Sequence, residues 1–258
     1  MKYALVGYGK MGRAIEAAAA GRGHTLGTVV DRAGRGKRVV RTIGGASWRG
    51  VTVAFEFTEP DAAKDHVIAL LKRGIGVVCG TTGWDAGDAD VRRAARASNA
   101  GAVIAPNFSV GMSLFYAVVA DAARRYLAVS GYDPWIADWH HRAKADAPSG
   151  TARRLAAIVA EAAPGGVAVC SGLPKAPLAP GDVHVAAVRA GSQPGRHLVG
   201  FDGPDDAVTL EHVVRGREGF AGGAVLAAEW LRGRRGLHAF EDVVDDLVRG
   251  RRRRGGRR

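Results

Sequence analysis

The chain has 258 residues, 47% of them hydrophobic and 24% charged, an ordinary composition for one large packed domain or two smaller ones. Its formal net charge is +12, but Arg249, Arg251, Arg252, Arg253, Arg254, Arg257 and Arg258 crowd the last ten residues and leave +5 on the rest. The basicity is therefore largely a tail, not the cation–aromatic surface of a nucleic-acid binder. No apolar run approaches the ~20 residues of a membrane helix, and the N-terminus lacks the layout of a secretion signal. Cys79 and Cys170 are too few for a disulfide framework and sit in no paired metal-ligand spacing. A cytoplasmic protein with two reduced, buried thiols and no metal is expected. The tail, residues 249–258, is expected to be disordered. It could touch nucleic acid nonspecifically, but a solvated terminus without function explains it equally well.

Through the first hundred residues, short β runs alternate with helical stretches. Strands are predicted at 3–6, 25–30, 51–57, 77–79 and 102–105. Helices are predicted at 11–20, from Pro60 with apolar positions Ala63, Val67, Leu70 and Leu71, and over 85–98. A glycine- and arginine-rich loop reaches about residue 45. Such alternation implies a parallel, doubly wound sheet. Beyond Asn107 the texture changes. A long helix over 110–127 leads to a strand at 135–139 and a helix over 151–163. Strands at 183–189, 196–201 and 207–214 are joined by turns, as in a mixed or antiparallel sheet. Residues 165–180, bounded by Pro164 and Pro180, read as a loop suited to motion or to subunit contact. Helices at 220–232 and 239–248 close the chain.

Gly7-Tyr8-Gly9-Lys10-Met11-Gly12 follows the first strand and opens the first helix. Glycines there permit a tight turn and close approach of a pyrophosphate to a helix N-terminus, the pattern of a dinucleotide site. The second strand ends at Asp31-Arg32. An acid at that place accepts from the adenosine ribose hydroxyls and favours NADH, whereas Arg32 or Lys10 could pair with the 2′-phosphate of NADPH. Use of both cofactors is the resulting expectation, with a capped turn as the plainer reading of Asp31. Thr58, Cys79-Gly80-Thr81-Thr82-Gly83 and Ala105-Pro106-Asn107-Phe108-Ser109 fall at later strand ends and belong to the same rim.

The densest chemistry lies at His140-His141-Arg142-Ala143-Lys144, followed by Pro148-Ser149-Gly150-Thr151 at a helix start. Clustered cations beside free helix N–H groups suit a small dianion, and imidazoles and an ammonium can move protons. A solvated basic face is the bland alternative.

These residues resemble the 4-hydroxy-tetrahydrodipicolinate reductase (dihydrodipicolinate reductase) family. The likeness rests on His140-His141-Arg142-x-Lys144-x-Asp146-Ala147-Pro148-Ser149-Gly150-Thr151. It extends to Phe55-Glu56-Phe57-Thr58, Gly80-Thr81-Thr82-Gly83, Asn107-Phe108-Ser109-Val110-Gly111, Arg189-Ala190-Gly191 and Phe220-Ala221-Gly222-Gly223-Ala224. It covers the chain apart from the arginine tail. Ala143 departs from it where many members carry another histidine, and the glycine loop is a residue shorter than in many.

The resemblance implies a Rossmann-type domain, residues 1–107 plus 219–258, around a smaller mixed-sheet domain, 108–218, that binds substrate and forms a homotetramer. It implies NADH or NADPH bound by Gly7, Tyr8, Gly9, Lys10, Met11, Gly12, Asp31, Arg32, Thr58, Gly80, Thr81, Thr82, Ala105, Pro106, Asn107 and Phe108. His140 would be the proton donor/acceptor and Lys144 the proton donor. His141, Lys144, Ser149, Gly150 and Thr151 would hold the carboxylates of a cyclic imine reduced in lysine and diaminopimelate synthesis. Two rivals remain at this stage: another small-substrate dehydrogenase of the same architecture, and a non-catalytic NAD(P)-sensing protein.

Overall fold

The computed structural model describes residues 1–34, 39–129, 131–163 and 165–255, with side chains described to Gly250. The chain divides into two compact units, Met1–Val110 with Arg217–Arg258, and Gly111–Gly216.

In the first unit, strands β1 (Lys2–Val6), β2 (Thr25–Val30), β3 (Val39–Val40), β4 (Val53–Glu56), β5 (Gly76–Cys79), β6 (Gly101–Ile104) and β12 (Gly236–His238) form one sheet. Their order is β12-β6-β5-β4-β1-β2-β3, with every pair parallel. Helices α1 (Lys10–Ala20), α2 (Pro60–Leu71), α3 (Ala89–Ala97), α6 (Glu218–Trp230) and α7 (Phe240–Gly255) accompany it. The central strands are buried along their length, with the burial pattern BBBB in β4 and β5, because a parallel sheet is covered on both faces. Two cores result. Tyr3, Leu5, Phe55 and Val78 pack with α1, α6 and α7 on one face. Ala4, Val6, Val77 and Cys79 pack with α2 and α3 on the other.

The order reverses between β1 and β4, and this doubly wound arrangement places ligands at the carboxyl ends of those strands.

The second unit holds β7 (Asp133–His140), β8 (Val169–Ser171), β9 (Val183–Arg189), β10 (Arg196–Asp202) and β11 (Ala207–Val213), with α4 (Val110–Tyr126) and α5 (Gly150–Ala162). The order is β11-β10-β7-β9-β8. Its β10 pairs are antiparallel and its β9 pairs parallel, so the sheet is mixed. Along β7 burial alternates: Pro134, Ile136, Asp138 and His140 are buried, while Trp135, Ala137 and Trp139 are not. Met112, Phe115, Leu155 and Val159 cover the buried face together with Ile136 and Phe201.

The structure departs from the sequence reading in places. Residues 169–171, read as part of a loop, form edge strand β8, and Cys170 within it is only half-buried. Strands β3 and β12 went unread because two or three residues show no periodicity. Part of the expected loop before residue 45, residues 35–38, lies outside the described residues. Helix α7 runs to Gly255, so 249–255 are helical rather than disordered. Arginine is a good helix former and extends a helix already begun. Residues 256–258 lie outside the description.

Candidate active site

The dinucleotide end is a cradle shaped by absent side chains. Gly7 adopts φ +91°, and a Cβ there would stand 2.1 Å from the Phe57 carbonyl oxygen. A Cβ on Gly12 would meet the Gly7 carbonyl oxygen at 2.4 Å. These two glycines let the turn sit against β4 and α1 start on top of the turn. Gly9 has nothing within 4 Å of its Cβ position, which leaves open space over the first turn of α1. That turn carries no acidic residue and no side-chain cap, so its N–H groups and positive dipole end suit a pyrophosphate. The residues present fit a dinucleotide.

Asp31 braces the cradle. Its Oδ2 accepts from Tyr8 N–H at 2.7 Å and its Oδ1 from Ala33 N–H at 2.9 Å. Beside it, exposed Arg32 pairs with Glu59 at 2.9 Å.

At the ends of β4 and β5 stands a group that the sequence reading did not single out. Glu56 is fully buried, and its carboxylate accepts from Thr58 Oγ1, from Thr81 Oγ1 at 2.6 Å and from Cys79 Sγ at 3.2 Å, with His66 Nδ1 also at 3.2 Å. Thr81 Oγ1 in turn accepts from Thr58 N–H at 2.8 Å. Burial opposes ionisation of Glu56, but the bonds from His66, Thr58, Thr81 and Cys79 outweigh it and hold the carboxyl below its ordinary range. The hydroxyl protons of Thr58 and Thr81 are thus committed within the protein. Thr82 is exposed. Gly80 is a glycine because Phe57 occupies the space of its Cβ, at 2.1 Å.

On the next strand end, Pro106 is exposed, Asn107 half-buried and Ala105 buried. Asn107 Oδ1 accepts from Ser109 N–H. Phe108 is 2% exposed and packs between Phe57 and Phe240, so its ring belongs to the core and leaves only backbone for the rim. Gly223 of α6 permits that packing, since a Cβ there would overlap the Phe108 carbonyl oxygen.

In the second unit the structure splits the cationic segment. His140 is the last residue of β7, on its buried face, whereas Arg142 is exposed and His141 and Lys144 are half-buried. Bonds from His141 N–H to Gln193 O, Arg142 N–H to Gly191 O and Ala190 N–H to His140 O clamp the segment to the turn after β9. The Arg189-Ala190-Gly191 motif therefore accompanies the histidine motif for a structural reason. Lys144 Nζ lies 2.7 Å from Asp146, so the nearest partner of the ammonium is a carboxylate.

Ser149 is 2% exposed and serves as N-cap of α5, accepting from Ala152 N–H at 3.1 Å. Its Oγ donates to Asp138 Oδ1 and its N–H to Asp138 Oδ2, both at 2.8 Å. Its bonding capacity is spent inside the fold. Gly150 and Thr151 are the first two residues of α5, whose N–H groups have no intrahelical acceptor.

Asp138, also missed, is fully buried two residues before His140. Arg189 Nη2 donates to its Oδ2 at 2.8 Å. His140 Nδ1 lies 2.9 Å and His197 Nε2 3.3 Å from its Oδ1, both off the line of a good hydrogen bond. Burial opposes ionisation of Asp138, but His197, Arg189 and Ser149 hold the carboxyl far below its usual range. Burial likewise lowers His140 to about 4, against the opposing pull of Asp138. His140 is neutral at pH 7. The donor atoms of Asp138, His140 and His197 lie within 4.8 Å of one another, as ligands of a metal would. Both Asp138 oxygens are already bonded, and a guanidinium is among the partners.

A doubly wound sheet with this glycine cradle, joined in one chain to a mixed-sheet unit, defines a Rossmann-type NAD(P)-dependent oxidoreductase. The family models "Dihydrodipicolinate reductase, N-terminus" and "Dihydrodipicolinate reductase, C-terminus" match residues 1–108 and 111–244. A 4-hydroxy-tetrahydrodipicolinate reductase of Laribacter hongkongensis is 37% identical, over 92% of this chain and 94% of its own. One from Christiangramia forsetii is 30% identical, over 96% of this chain and its whole length. Among solved structures, a dipicolinate-bound dihydrodipicolinate reductase from Paenisporosarcina sp. TG-14 shares the fold with a TM-score of 0.77 at 22% identity, covering 94% of this chain and 98% of that one. The chain belongs to the dihydrodipicolinate reductase family.

Proposed function

We propose that the protein reduces 4-hydroxy-tetrahydrodipicolinate to tetrahydrodipicolinate with NADH or NADPH, in lysine and diaminopimelate biosynthesis, and that residues 140–151 hold the substrate and move its proton. The observation that carries this reading is the juxtaposition of a buried imidazole, a half-buried ammonium and the uncommitted N–H groups of Gly150 and Thr151 along one short segment. The first unit binds the dinucleotide and the second binds substrate.

The substrate is a cyclic imine with two carboxylates. Loss of its hydroxyl as water gives a conjugated imine. A reduced nicotinamide, when bound, would supply hydride to C4, and a proton must then reach C3. The N–H groups of Gly150 and Thr151 take one carboxylate at the positive end of α5, with His141 and Lys144 giving further cationic contact. Ser149 contributes by fixing the helix start. Lys144 is the proton donor, released from Asp146 when the substrate carboxylate competes for it. His140, neutral in the free protein, gains proton affinity beside a bound dianion and exchanges protons with the ring.

In the first unit, Gly7, Gly9 and Gly12 with the α1 N-terminus would hold the pyrophosphate. Asp31 and Arg32 would meet the adenosine ribose. Backbone groups of Gly80, Thr81 and 105–108 would serve the nicotinamide.

A homotetramer built through the second unit is part of the same proposal. The uncovered face of its sheet presents Trp139, Val188 and Val213, and the segment after α5 presents Leu173, 93% exposed. Apolar exposure of this kind supports a subunit contact there. Light scattering of the purified protein tests it.

The activity is tested by generating the unstable substrate in place from pyruvate and aspartate semialdehyde with dihydrodipicolinate synthase, following NADH and NADPH oxidation separately. Oxidation that requires the synthase supports the reading. Cofactor binding without turnover would leave a nucleotide-sensing protein.

A further inference from the structure

The second unit contains a row of titratable side chains that the reaction outlined above does not use. Asp138 on β7 is register partner of His197 on β10, and His197 is partner of His212 on β11. Directly paired residues share a sheet face, so one carboxylate and two imidazoles line up beneath the helices, with His140 two residues further along β7 on the same face. Asp138 is 0% and His197 2% exposed. A polar row is costly in a core unless each member has a task or a partner.

Asp138 meets two kinds of neighbour. On one side, Ser149 N–H and Oγ bind both of its oxygens and fix the first turn of α5. On the other, His140 Nδ1 lies 2.9 Å from Oδ1. Two bare acceptors at that distance in a buried site would repel, so the imidazole must carry its proton on Nδ1. The other ring nitrogen, Nε2, is then left to exchange protons. Space beside it is kept by Gly195, whose Cβ would come within 3.1 Å of Nε2. Arg189 balances the charge of Asp138 and, through Asp146 O at 2.7 Å, ties the same carboxylate to the loop that carries Lys144.

We propose that Asp138 is the positioning residue of the substrate-binding unit: a single buried carboxylate that sets the tautomer of His140 and, through Ser149 and Arg189, the place of the α5 N-terminus and the Lys144 loop. This rests on the reading of residues 140–151 as the substrate site. Linked in this way, the proton-exchanging ring and the anion-binding helix start keep their spacing without touching each other. The logic is that of an acid orienting an imidazole in a hydrolytic triad, with a helix cap added to the same oxygen atoms.

The test is the tautomer itself. Long-range ¹H–¹⁵N correlation spectra of the whole protein, with the His140 signal assigned by its loss in His140→Ala, should show the proton on Nδ1 near pH 7. A proton on Nε2 in the unaltered protein overturns the proposal, whatever any variant does. Asp138→Asn should shift that ring to the Nε2–H form or a mixture and lower kcat by about 10²-fold, the lower end of a ~10²–10⁴ acid–base contribution. KM for NADH should not change. Ser149→Ala should instead raise KM for the dicarboxylate while His140 keeps its Nδ1 proton. An unchanged tautomer in folded Asp138→Asn also overturns the assignment. Full kcat in His140→Ala with the Nδ1–H tautomer intact in the unaltered protein would sink the catalytic reading and leave the geometry standing.

Discussion

Each unit of the molecule is organised around one fully buried carboxylate, Glu56 in the first and Asp138 in the second. Both sit at or near the carboxyl end of a strand, and both remain ionised because hydrogen bonds outweigh the burial that opposes them. Their partners differ in kind. Glu56 takes two threonine hydroxyls and a thiol that burial and the Glu56 charge push far above its ordinary range, with half-buried His66 at its edge. Asp138 takes a guanidinium, a helix cap and an imidazole held neutral. Two hydroxyls and a locked thiol bring no proton chemistry, and the one imidazole, His66, stands on α2 rather than on the cationic segment, so Glu56 ties the ends of β4 and β5 to α2. An imidazole and an arginine bring both charge and titration, so Asp138 sits where the reaction needs them. A buried anion is a fastener in one unit and a tuning element in the other.

The contrast can be broken by substitution, and the largest effects belong to the second unit. His140→Ala and Lys144→Ala should each lower kcat by ~10²–10⁴, with a rise in KM for Lys144→Ala where the ammonium also holds a carboxylate. Steady-state kinetics on folded variants with near-normal kcat would take the residue concerned out of the proton transfer. Glu56→Ala should act differently. It strands two hydroxyls and a thiol and so costs about 3 kcal/mol of stability, since a buried unsatisfied donor costs roughly 1–3 kcal/mol. Denaturant titration reads that loss. KM for NADH and NADPH should rise together, and kcat at saturating cofactor should hold. A fall in saturated kcat to match His140→Ala would erase the distinction.

How far each carboxylate could be read from the sequence follows from what surrounds it. The glycine turn announced itself because only glycine tolerates the Phe57 and Gly7 carbonyls at the positions of its absent Cβ atoms, and it stands between a strand and a helix. The mixed sheet showed in turns replacing helices between β9, β10 and β11. Asp138 left a fainter signal: in Pro134-Trp135-Ile136-Ala137-Asp138-Trp139-His140 the two polar residues fall in phase with Ile136. A period-two reading puts them indoors, yet the partners His197 and Arg189 emerge only once strand register is known. Glu56 lay inside a quoted motif with Thr58 two residues on, but its other hydroxyl donor, Thr81, and the Cys79 thiol are reached across β4 and β5, a contact no local pattern encodes. Thr58 and Thr81, read as cofactor contacts, spend their hydroxyl protons on Glu56. Strands of two or three residues, β3 and β12, carry no pattern to read.

A smaller effect sharpens the picture of the first unit at its rim. On the proposed reading Asp31 would repel a 2′-phosphate while Arg32 would attract one, and Glu59 holds Arg32 at 2.9 Å. The two cofactors should therefore differ in kcat/KM by no more than about tenfold, roughly 1.4 kcal/mol. Arg32→Ala should impair NADPH selectively, and Glu59→Gln, which releases the guanidinium, should favour it. An NADPH/NADH ratio indifferent to both would move phosphate recognition to Lys10.

The smallest effect is on stability, and its sign separates a tuned imidazole from a mere buried anion. His140 is faced by Asp138 on its own strand, by His197 on β10, by Arg189 on β9 and by Lys144 on the following loop, and burial with these cations lowers it from 6.5 to about 4. The unfolded chain thus takes up a proton near pH 6.5 that the folded chain refuses until about pH 4. Its neutral form stabilises the fold fully above pH 6.5, and that contribution is lost as pH falls from there to about 4. Glu56 and Asp138 act lower. Their folded-state values are depressed, so their contributions are complete above the unfolded range of about 4 and disappear only below it. Denaturant titrations across pH should therefore show two steps, the upper one falling between pH 6.5 and about 4. In His140→Ala the upper step should shrink to the part that half-buried His212, also lowered by burial, contributes, while the lower one stays. An upper step undiminished in that variant would assign it to His212, the next to replace.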